Sequence, residues 1–337
     1  MSGRAFVTGA TGLVGEALVE RLAGTAREVV ALARPGSDCS RLEELGVAVV
    51  RGDLSQSGAL TEAIRGCDVV FHCAAPTGLA HTIAAYHAGI AEGTAKLLRA
   101  ASEAGASRFV YVSSVMVYEL RGRGGECDET QPLLGSSLDP YGRAKCVAEA
   151  ACMEAHRPGV FDVAIVRPGF IYGPARRRAG FLQDMAAMMA GGKFRFIGDG
   201  DNAIPLIHVA DVVELLLRSA GRGEACGRTY NACAPAHTTW RELAQALCDG
   251  LGLAMPPATP VAPVLAAAGC LEALARLGLL RRLPLSTAAV RMLASDCRFP
   301  GARAARELGF VPAIPFEDGI RGCMPSLREV LAGRTGS

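Results

Sequence analysis

The sequence predicts an α/β fold in which helices cover both faces of a doubly wound parallel sheet, with a smaller second domain. Composition is the first observation behind this prediction: 50% of the residues are hydrophobic but only 5% are aromatic, as is typical of buried parallel strands between helices. The second is that short apolar runs alternate with amphipathic segments, beginning at Ala5. The third is length, because 337 residues suffice for a sheet domain and a further, smaller one.

Charge and cysteine content argue against several classes of protein. The formal net charge of +2 is too near neutral to indicate a nucleic-acid partner. The 12 cysteines include no C-x-x-C pair and no signal peptide precedes them, so we expect thiols in a reducing cytoplasm. The six histidines have no metal-ligand spacing, and we expect no metal site.

The first apolar run leads into three glycines at three-residue spacing. Gly9 permits a tight turn, Gly12 lets a pyrophosphate approach the backbone, and Gly15 lets the following helix pack on the strand. The free N–H groups at the start of that helix face an anion, so the segment predicts a dinucleotide-binding turn. An ordinary strand-to-helix turn is the alternative. The residues expected to contact the cofactor here are Thr8, Gly9, Thr11, Gly12, Leu13, Val14 and Gly15.

After a predicted helix over residues 13–23, the second apolar run, residues 29–33, ends in Arg34. No carboxylate occurs between Val29 and Ser37. In a dinucleotide-binding fold this strand end meets the adenosine ribose, where an acidic residue favours NAD and an arginine accommodates the 2′-phosphate of NADP. The sequence therefore favours NADP(H), with NAD as the alternative. A solvated arginine is the other interpretation of Arg34.

The next two apolar runs each end in residues suited to a flat cofactor. Residues 47–50 lead to Asp53 and Leu54, where the carboxylate is expected either to accept a hydrogen bond from adenine or to cap a helix starting near Ser55. The fourth run continues through His72, which we expect to be a core histidine rather than a catalytic one. The small residues that then leave room for the cofactor are Ala74 and Ala75.

A long amphipathic helix is predicted over residues 84–104, and a fifth strand over 108–112 ends in two serines. Downstream, Tyr141 and Lys145 are four residues apart in a predicted helix that runs to about residue 155, so they lie on one face. An ammonium beside a phenol favours the ionised phenol and lowers its pKa. The Y-x-x-x-K spacing alone is common, and its position after the serines gives it weight.

Together these segments resemble the extended short-chain dehydrogenase/reductases, in register over essentially the whole chain. The resemblance is carried by the glycine loop, residues 52–54, Ser113-Ser114, Tyr141-x-x-x-Lys145 and residues 167–174. It implies a Rossmann-type sheet, a nicotinamide cofactor and usually a homodimer built on the long helices. It also implies a catalytic group of Ser114, Tyr141 and Lys145. The residues that would line the nicotinamide are Pro168, Gly169, Phe170 and Ile171.

Two positions depart from the patterns of this superfamily. Ile90 stands where members usually carry an asparagine in the long helix. Ile204 stands where nucleotide-sugar epimerases and dehydratases commonly carry an arginine that binds the diphosphate. The tail of the chain, residues 304–320, is instead similar to the 3β-hydroxysteroid dehydrogenase-like branch, which acts on apolar alcohols and ketones.

The expected domain organisation is discontinuous. Residues 1–170 form the dinucleotide-binding domain, and 203–235 return to it. Residues 171–202 and 236–330 form the substrate domain.

Three stretches of the expected substrate domain have no motif. The arginines at 176–178 are expected in a solvated loop, or as a grip on an anion. Residues 256–263 read as a Pro-rich linker. Residues 264–280 predict an apolar helix that is too short and too charged to span a membrane. We expect it in the core of the domain, with an interfacial or lid role as the alternative.

The combined expectation is an NADP(H)-dependent oxidoreductase that interconverts a ketone and a secondary alcohol on a mainly apolar small molecule. Tyr141 would exchange the proton, Ser114 would hold the substrate oxygen, and Lys145 would bind the ribose and assist Tyr141. Two alternatives stand beside it. One is a nucleotide-sugar epimerase or dehydratase that recycles NAD, and the other is a non-catalytic NADP(H)-binding sensor.

Overall fold

The computed structural model describes residues 3–25, 27–55, 57–77, 81–120, 124–135, 138–175, 180–235 and 237–332. Its centre is a parallel sheet of seven strands. In chain order these are β1 (Arg4–Thr8), β2 (Glu28–Ala33), β3 (Ala48–Arg51), β4 (Val69–His72), β5 (Arg108–Val112), β6 (Asp162–Pro168) and β7 (Arg228–Ala232). Their spatial order is β7-β6-β5-β4-β1-β2-β3, so the strand order reverses between β1 and β4. This confirms the predicted doubly wound sheet, and ligands bind at such a switch point.

Helices cover both faces of the sheet. In chain order, the α-helices of the described residues are α1 (Leu13–Ala23), α2 (Ser40–Glu44), α3 (Ser57–Ile64), α4 (Ile83–Tyr86), α5 (Gly93–Glu103), α6 (Pro140–Ala155), α7 (Phe181–Ala190), α8 (Val209–Gly221), α9 (Trp240–Leu251), α10 (Val261–Arg276), α11 (Thr287–Ala294), α12 (Ala302–Leu308) and α13 (Phe316–Ala332). Helices α1, α2, α8 and α12 bury their apolar residues on one face. Helices α3, α5 and α6 do so on the other. Among the described helices, none is long and apolar enough to cross a bilayer.

A third apolar cluster lies beside the sheet, where α7, α9 and α13 pack together. Three two-stranded parallel ladders lie outside the main sheet. They pair Phe170–Tyr172 with Leu206–His208, Phe196–Ile197 with Ala258–Thr259, and Gly124–Glu126 with Asp296–Arg298. The parallel pairs bring distant segments of chain together at the carboxyl edge of the sheet.

The long helix predicted over residues 84–104 is described in three pieces. Between α4 and α5 the segment His87–Glu92 is a π-helix. Such segments are rare and often lie at functional sites. Ile90 lies within it and is 1% exposed, packed in the apolar cluster beneath α6.

Helix α10 corrects two sequence predictions. The Pro-rich segment contains the strand Ala258–Thr259, and the helix runs over Val261–Arg276 rather than 264–280. Pro263 is tolerated because it falls in the first turn, where its missing N–H has no helical acceptor. The expectation of a core helix is wrong, since only Ala268 and Glu272 of α10 are buried.

Candidate active site

A cavity of about 1840 Å³ opens at the carboxyl ends of the central strands. One half lies against β1, β2 and β4, and the other is enclosed by α7, α9, α11 and α13. The cavity therefore crosses the switch point of the sheet. The predicted residues that line it are Gly9, Thr11, Gly12, Leu13, Val14, Gly15, Arg34, Asp53, Leu54, Ala74, Ala75, Ser114, Tyr141, Lys145, Pro168, Gly169, Phe170 and Ile171.

At this switch point the backbone of the glycine loop lies very close to the backbone that follows β4 and to the start of α1. Gly9 has a φ of +68°, and a Cβ there would lie 2.7 Å from the backbone nitrogen of Ala74. A Cβ at Gly15 would collide with the carbonyl oxygen of Gly9, so the start of α1 can pack on the loop only with glycine. No side chain caps α1, which leaves its first N–H groups facing the cavity.

Thr8 is the one predicted loop residue that the structure places away from the cavity wall. Its side chain is fully buried, and its hydroxyl lies 2.7 Å from Nδ1 of His72. Nε2 of His72 lies 3.0 Å from the hydroxyl of Thr94. Burial lowers the pKa of His72 to about 3, so the ring is neutral. Thr8 and His72 are therefore buried behind the glycine loop, and His72 is a core histidine, as the sequence predicts.

At the far end of this half of the cavity, Arg34 is exposed just after β2. Asp53 accepts a hydrogen bond from the backbone N–H of Ser55 at 2.6 Å. The hydrogen bonds from Ser55 lower the pKa of Asp53, and the charges of Arg34 and Lys96 act in the same direction. One oxygen of Asp53 therefore closes the turn before α3, while the residue still faces the cavity.

Ser114, Tyr141 and Lys145 lie close together on the cavity wall. Tyr141 stands in the first turn of α6, which Asp139 caps by accepting from the N–H of Gly142 at 2.6 Å. Lys145 is 2% exposed and donates from Nζ to the carbonyl oxygen of Val112 at 2.6 Å. Its Nζ lies 5.9 Å from the centre of the Tyr141 ring.

Burial shifts the pKa values of this pair in opposite directions. It raises the pKa of Tyr141 to about 12, opposed by a hydrogen bond with Ser114. It lowers the pKa of Lys145 to about 8, opposed by the nearby charge of Glu149. The spacing of the two residues predicts that Lys145 lowers the pKa of Tyr141. In the structure, burial raises the pKa of the phenol instead, and the ammonium of Lys145 donates to the carbonyl of Val112.

A buried ion pair behind α6 was missed by sequence reasoning. Arg167 donates from Nε and Nη2 to the two carboxylate oxygens of Glu149, at 2.8 and 2.5 Å. Its Nη1 also donates to the hydroxyl of Tyr118 at 2.9 Å. Glu149 is on the helix of Tyr141, and Arg167 directly precedes Pro168. The i+8 spacing from Tyr141 to Glu149 was the available signal, but a single carboxylate on a helix does not reveal its partner.

The second half of the cavity is walled by aromatic, methionine and aliphatic side chains. The rings of Phe170, Phe181 and Trp240 form a cluster with centroids 4.8 to 6.0 Å apart. Further apolar residues of this wall are Met116, Met185, Met188, Phe194, Phe196, Met292 and Leu293. Ile204 is 2% exposed and belongs to the apolar cluster behind the wall. The arginines at 176–178 lie outside the described residues.

The geometry fits an extended dinucleotide. Any side chain larger than hydrogen at Gly9 or Gly15 would collide with neighbouring backbone atoms. Helix α1 presents uncapped N–H groups, and the small residues Ala74 and Ala75 leave space next to the loop. Ser113 adds a buried hydroxyl on the cavity wall that has no hydrogen-bond partner among the described residues. Such an atom is suited to a ligand group that bonds to it.

The profile of the NAD dependent epimerase/dehydratase family matches residues 5–233. A relative from Stigmatella aurantiaca, 4-hydroxy-2-methyl-3-oxo-4-farnesyl-3,4-dihydroquinoline-1-oxide ketoreductase, is 31% identical over 319 residues, which cover 94% of each chain. The 3beta-hydroxysteroid-dehydrogenase/decarboxylase isoform 1 of Arabidopsis thaliana is 27% identical, covering 85% of this chain and 68% of the relative.

Among solved structures, a double mutant of the dTDP-glucose 4,6-dehydratase DesIV from Streptomyces venezuelae, with NAD and DAU bound, is similar to this chain. The two share 26% identity and a TM-score of 0.77 over 97% of each chain.

Proposed function

Because the chain belongs to the NAD-dependent epimerase/dehydratase family of extended short-chain dehydrogenase/reductases, we propose that it interconverts a ketone and a secondary alcohol on an apolar small molecule, using NADP(H). The observation that carries this proposal is the apolar wall around Phe170, Phe181 and Trp240, which lines the same cavity as Ser114 and Tyr141. A wall of rings and flexible methionines favours a substrate with a sterol-, polyketide- or alkyl-like body. The names of the quinoline ketoreductase and the hydroxysteroid dehydrogenase indicate substrates of this kind.

The cofactor would be held along the first half of the cavity. The uncapped N–H groups of α1 would bind its pyrophosphate. Asp53 and Leu54 would contact adenine, and Arg34 would pair with a 2′-phosphate. Lys145 would bind the nicotinamide ribose, and the segment from Pro168 to Ile171 would line the nicotinamide. When bound, this ring supplies or accepts a hydride at the substrate carbon.

The chain's own residues would handle the substrate oxygen. In the reducing direction Ser114 donates a hydrogen bond to the carbonyl oxygen and Tyr141 transfers its proton to that oxygen. With its pKa raised to about 12, Tyr141 keeps this proton at neutral pH. Lys145, with a pKa of about 8, remains an ammonium there and stabilises the phenolate that forms. The oxidising direction reverses these transfers.

The experiment that tests the proposal is a comparison of Tyr141→Phe with the unaltered protein. NADPH and NADH are titrated separately, and turnover is then followed on a panel of apolar ketones. We expect Tyr141→Phe to lower turnover by about 10²- to 10⁴-fold, which is the typical contribution of a positioned general acid, and to leave cofactor binding unchanged. Turnover retained by this variant would overturn the assignment of Tyr141.

The same titrations separate the two alternatives. A nucleotide-sugar dehydratase or epimerase is favoured by the likeness to DesIV, and it would retain tightly bound NAD after purification. The burial of Ile204 in an apolar cluster, where those enzymes commonly carry a diphosphate-binding arginine, weighs against it. A sensor would bind NADPH with no turnover on any ketone.

We further propose a homodimer and the cytoplasm as location, together with the discontinuous division at residues 1–170 and 203–235 against 171–202 and 236–330. Exposed apolar residues on α6, Val147 and Met153 at 48% and 41%, support a contact between copies on that helix. All 12 cysteines are free thiols, which is consistent with a reducing compartment. Light scattering of the purified protein tests the dimer.

A further inference from the structure

Helix α10 ends in an apolar surface that no described segment covers. The surface consists of Leu274, Leu277 and Leu279, exposed to 39%, 73% and 67%, and of the neighbouring Ile83 at 36%. We call these four residues the α10 face. Three exposed leucines in six residues are unusual on a soluble surface, where large apolar side chains are normally scattered singly.

The backbone conformation at the end of α10 brings Leu279 back beside Leu274. Gly278 has a φ of +73°, its N–H bonds to the carbonyl of Ala275, and the N–H of Leu279 bonds to the carbonyl of Leu274 at 3.0 Å. This is the Schellman arrangement, which brings the residue after the glycine against the last helical turn. The backbone of Ile83 lies beside the segment that follows these leucines, because its N–H donates to the carbonyl of Arg281 at 3.1 Å.

Between residues 257 and 295, the stretch of chain that includes α10, all exposed charges are positive. Exposed arginines stand at 276, 281, 282 and 291, and none takes part in an ion pair among the described residues. The one carboxylate between residues 257 and 295, that of Glu272, is 8% exposed. It accepts hydrogen bonds from the N–H and the hydroxyl of Thr287, at 2.7 and 2.9 Å. The surface is therefore apolar and rimmed by positive charge.

The α10 face also adjoins elements that line the cavity. Helix α11 packs on α10 and contributes Met292 and Leu293 to the cavity wall. On the other side, Tyr86 of α4 lines the cavity, with its ring centre 6.0 Å from that of Tyr141. Ser286, which caps α11, donates to Asp139 at the start of the catalytic helix at 2.8 Å. A molecule crossing the α10 face thus arrives between elements that touch the site.

We propose that the α10 face docks on a bilayer surface rich in anionic lipids, which places α11 and its side of the cavity close to the membrane. The leucines enter the headgroup and acyl boundary while the arginines pair with lipid phosphates. In this arrangement α10 lies in the plane of the membrane surface, because the helix is not long and apolar enough to cross a membrane. A second copy of the chain is a poorer occupant, because a two-fold contact would bring the same arginines together.

The test is sedimentation of the full chain with vesicles, without cofactor or substrate, so that its outcome does not depend on the proposed reaction. Phosphatidylcholine vesicles are compared with vesicles that also contain phosphatidylglycerol. We expect binding to the anionic vesicles only, weakened by added salt. The variant Leu277→Asp/Leu279→Asp should lose roughly tenfold or more in partitioning, and Arg281→Glu/Arg282→Glu should lose a similar amount.

The control variants introduce acidic residues at other exposed positions. Val160→Asp and Val311→Asp alter residues that are 65% and 62% exposed and lie outside α10, and Arg321→Glu alters an exposed arginine of α13. These should bind vesicles as the unaltered protein does. Absence of vesicle binding by the unaltered protein, or equal losses in the controls, would overturn the proposal. So would a change from dimer to monomer in the leucine variant when no vesicle binding is seen, which would assign the face to a second copy.

Discussion

Tyr141 and Lys145 are both protonated at neutral pH, because burial raises the pKa of the phenol to about 12 and lowers that of the ammonium to about 8. Tyr141 is thus ready to give a proton, whereas Lys145 is within reach of losing one. The sequence predicts which residues meet, since their spacing on a helix is fixed. It does not predict the direction of the pKa shifts, because these depend on burial contributed by distant strands.

Alkaline pH should therefore slow the reaction through Lys145. The pKa of Lys145 lies below its ordinary value of 10.5, so its charge is present below about pH 8 and is lost as the pH rises through that value. We expect kcat/KM for ketone reduction to fall about tenfold per pH unit above this point. Lys145→Arg keeps its charge to much higher pH, so its rates, although lower, should not decline there. The same decline in that variant would exclude Lys145 as the titrating group.

Arg34 should determine the choice of cofactor. Its exposed guanidinium at the end of β2 is free to make a bidentate pair with a 2′-phosphate. We expect Arg34→Ala to weaken NADPH binding roughly 10- to 100-fold, as for a lost charge-assisted hydrogen bond, and to leave NADH binding unchanged. Arg65→Ala removes an exposed arginine outside the cavity and should change neither. Equal losses for both cofactors would mean that Arg34 does not contact the 2′-phosphate.

At the scale of elements, helix α6 is fixed to β6 by the pair of Glu149 and Arg167. Removing one partner leaves a buried charge without compensation, which typically costs about 3–5 kcal/mol. We expect this loss in the free energy of unfolding of Glu149→Gln, measured with urea. Glu62→Gln breaks an exposed pair with Arg65 and should cost less than about 1 kcal/mol. Similar small losses for both variants would show that the buried pair does not fix α6.

The ends of elements could be predicted where local chemistry determines them. Helix α7 starts at Phe181 and stops at Gly191, where a glycine ends it, and β5 has its predicted bounds of 108–112. The exposure of α10 could not be predicted, because an apolar composition does not reveal whether another element covers the helix. The π-helical segment at Ile90 was missed for a similar reason, since a regular apolar period does not distinguish it from an α-helix.

Across the whole molecule, the cavity separates into a half suited to a dinucleotide and a half walled by apolar residues. Gly9, Arg34 and Asp53 belong to the first half, while Phe181 and Trp240 belong to the second. The sequence indicated the first half in detail, because binding a phosphate requires glycines and a helix start at fixed spacing. It indicated the second only by resemblance, since its side chains come from helices, short strands and loops that are far apart in the chain.

This separation predicts that substrate and cofactor affinity can be changed independently. Trp240→Phe and Phe181→Leu reduce ring area while keeping an apolar side chain, so the fold should survive and the wall should contact a bulky ketone less well. We expect KM for bulky apolar ketones to rise by about 10-fold or more, as for lost apolar contacts worth 1–3 kcal/mol, with NADPH binding unchanged. The control is Val311→Ala, which changes an exposed surface residue. Unfolding curves establish that each variant is folded. A loss of NADPH affinity in the wall variants, with KM unchanged, would mean that this half of the cavity does not hold the substrate.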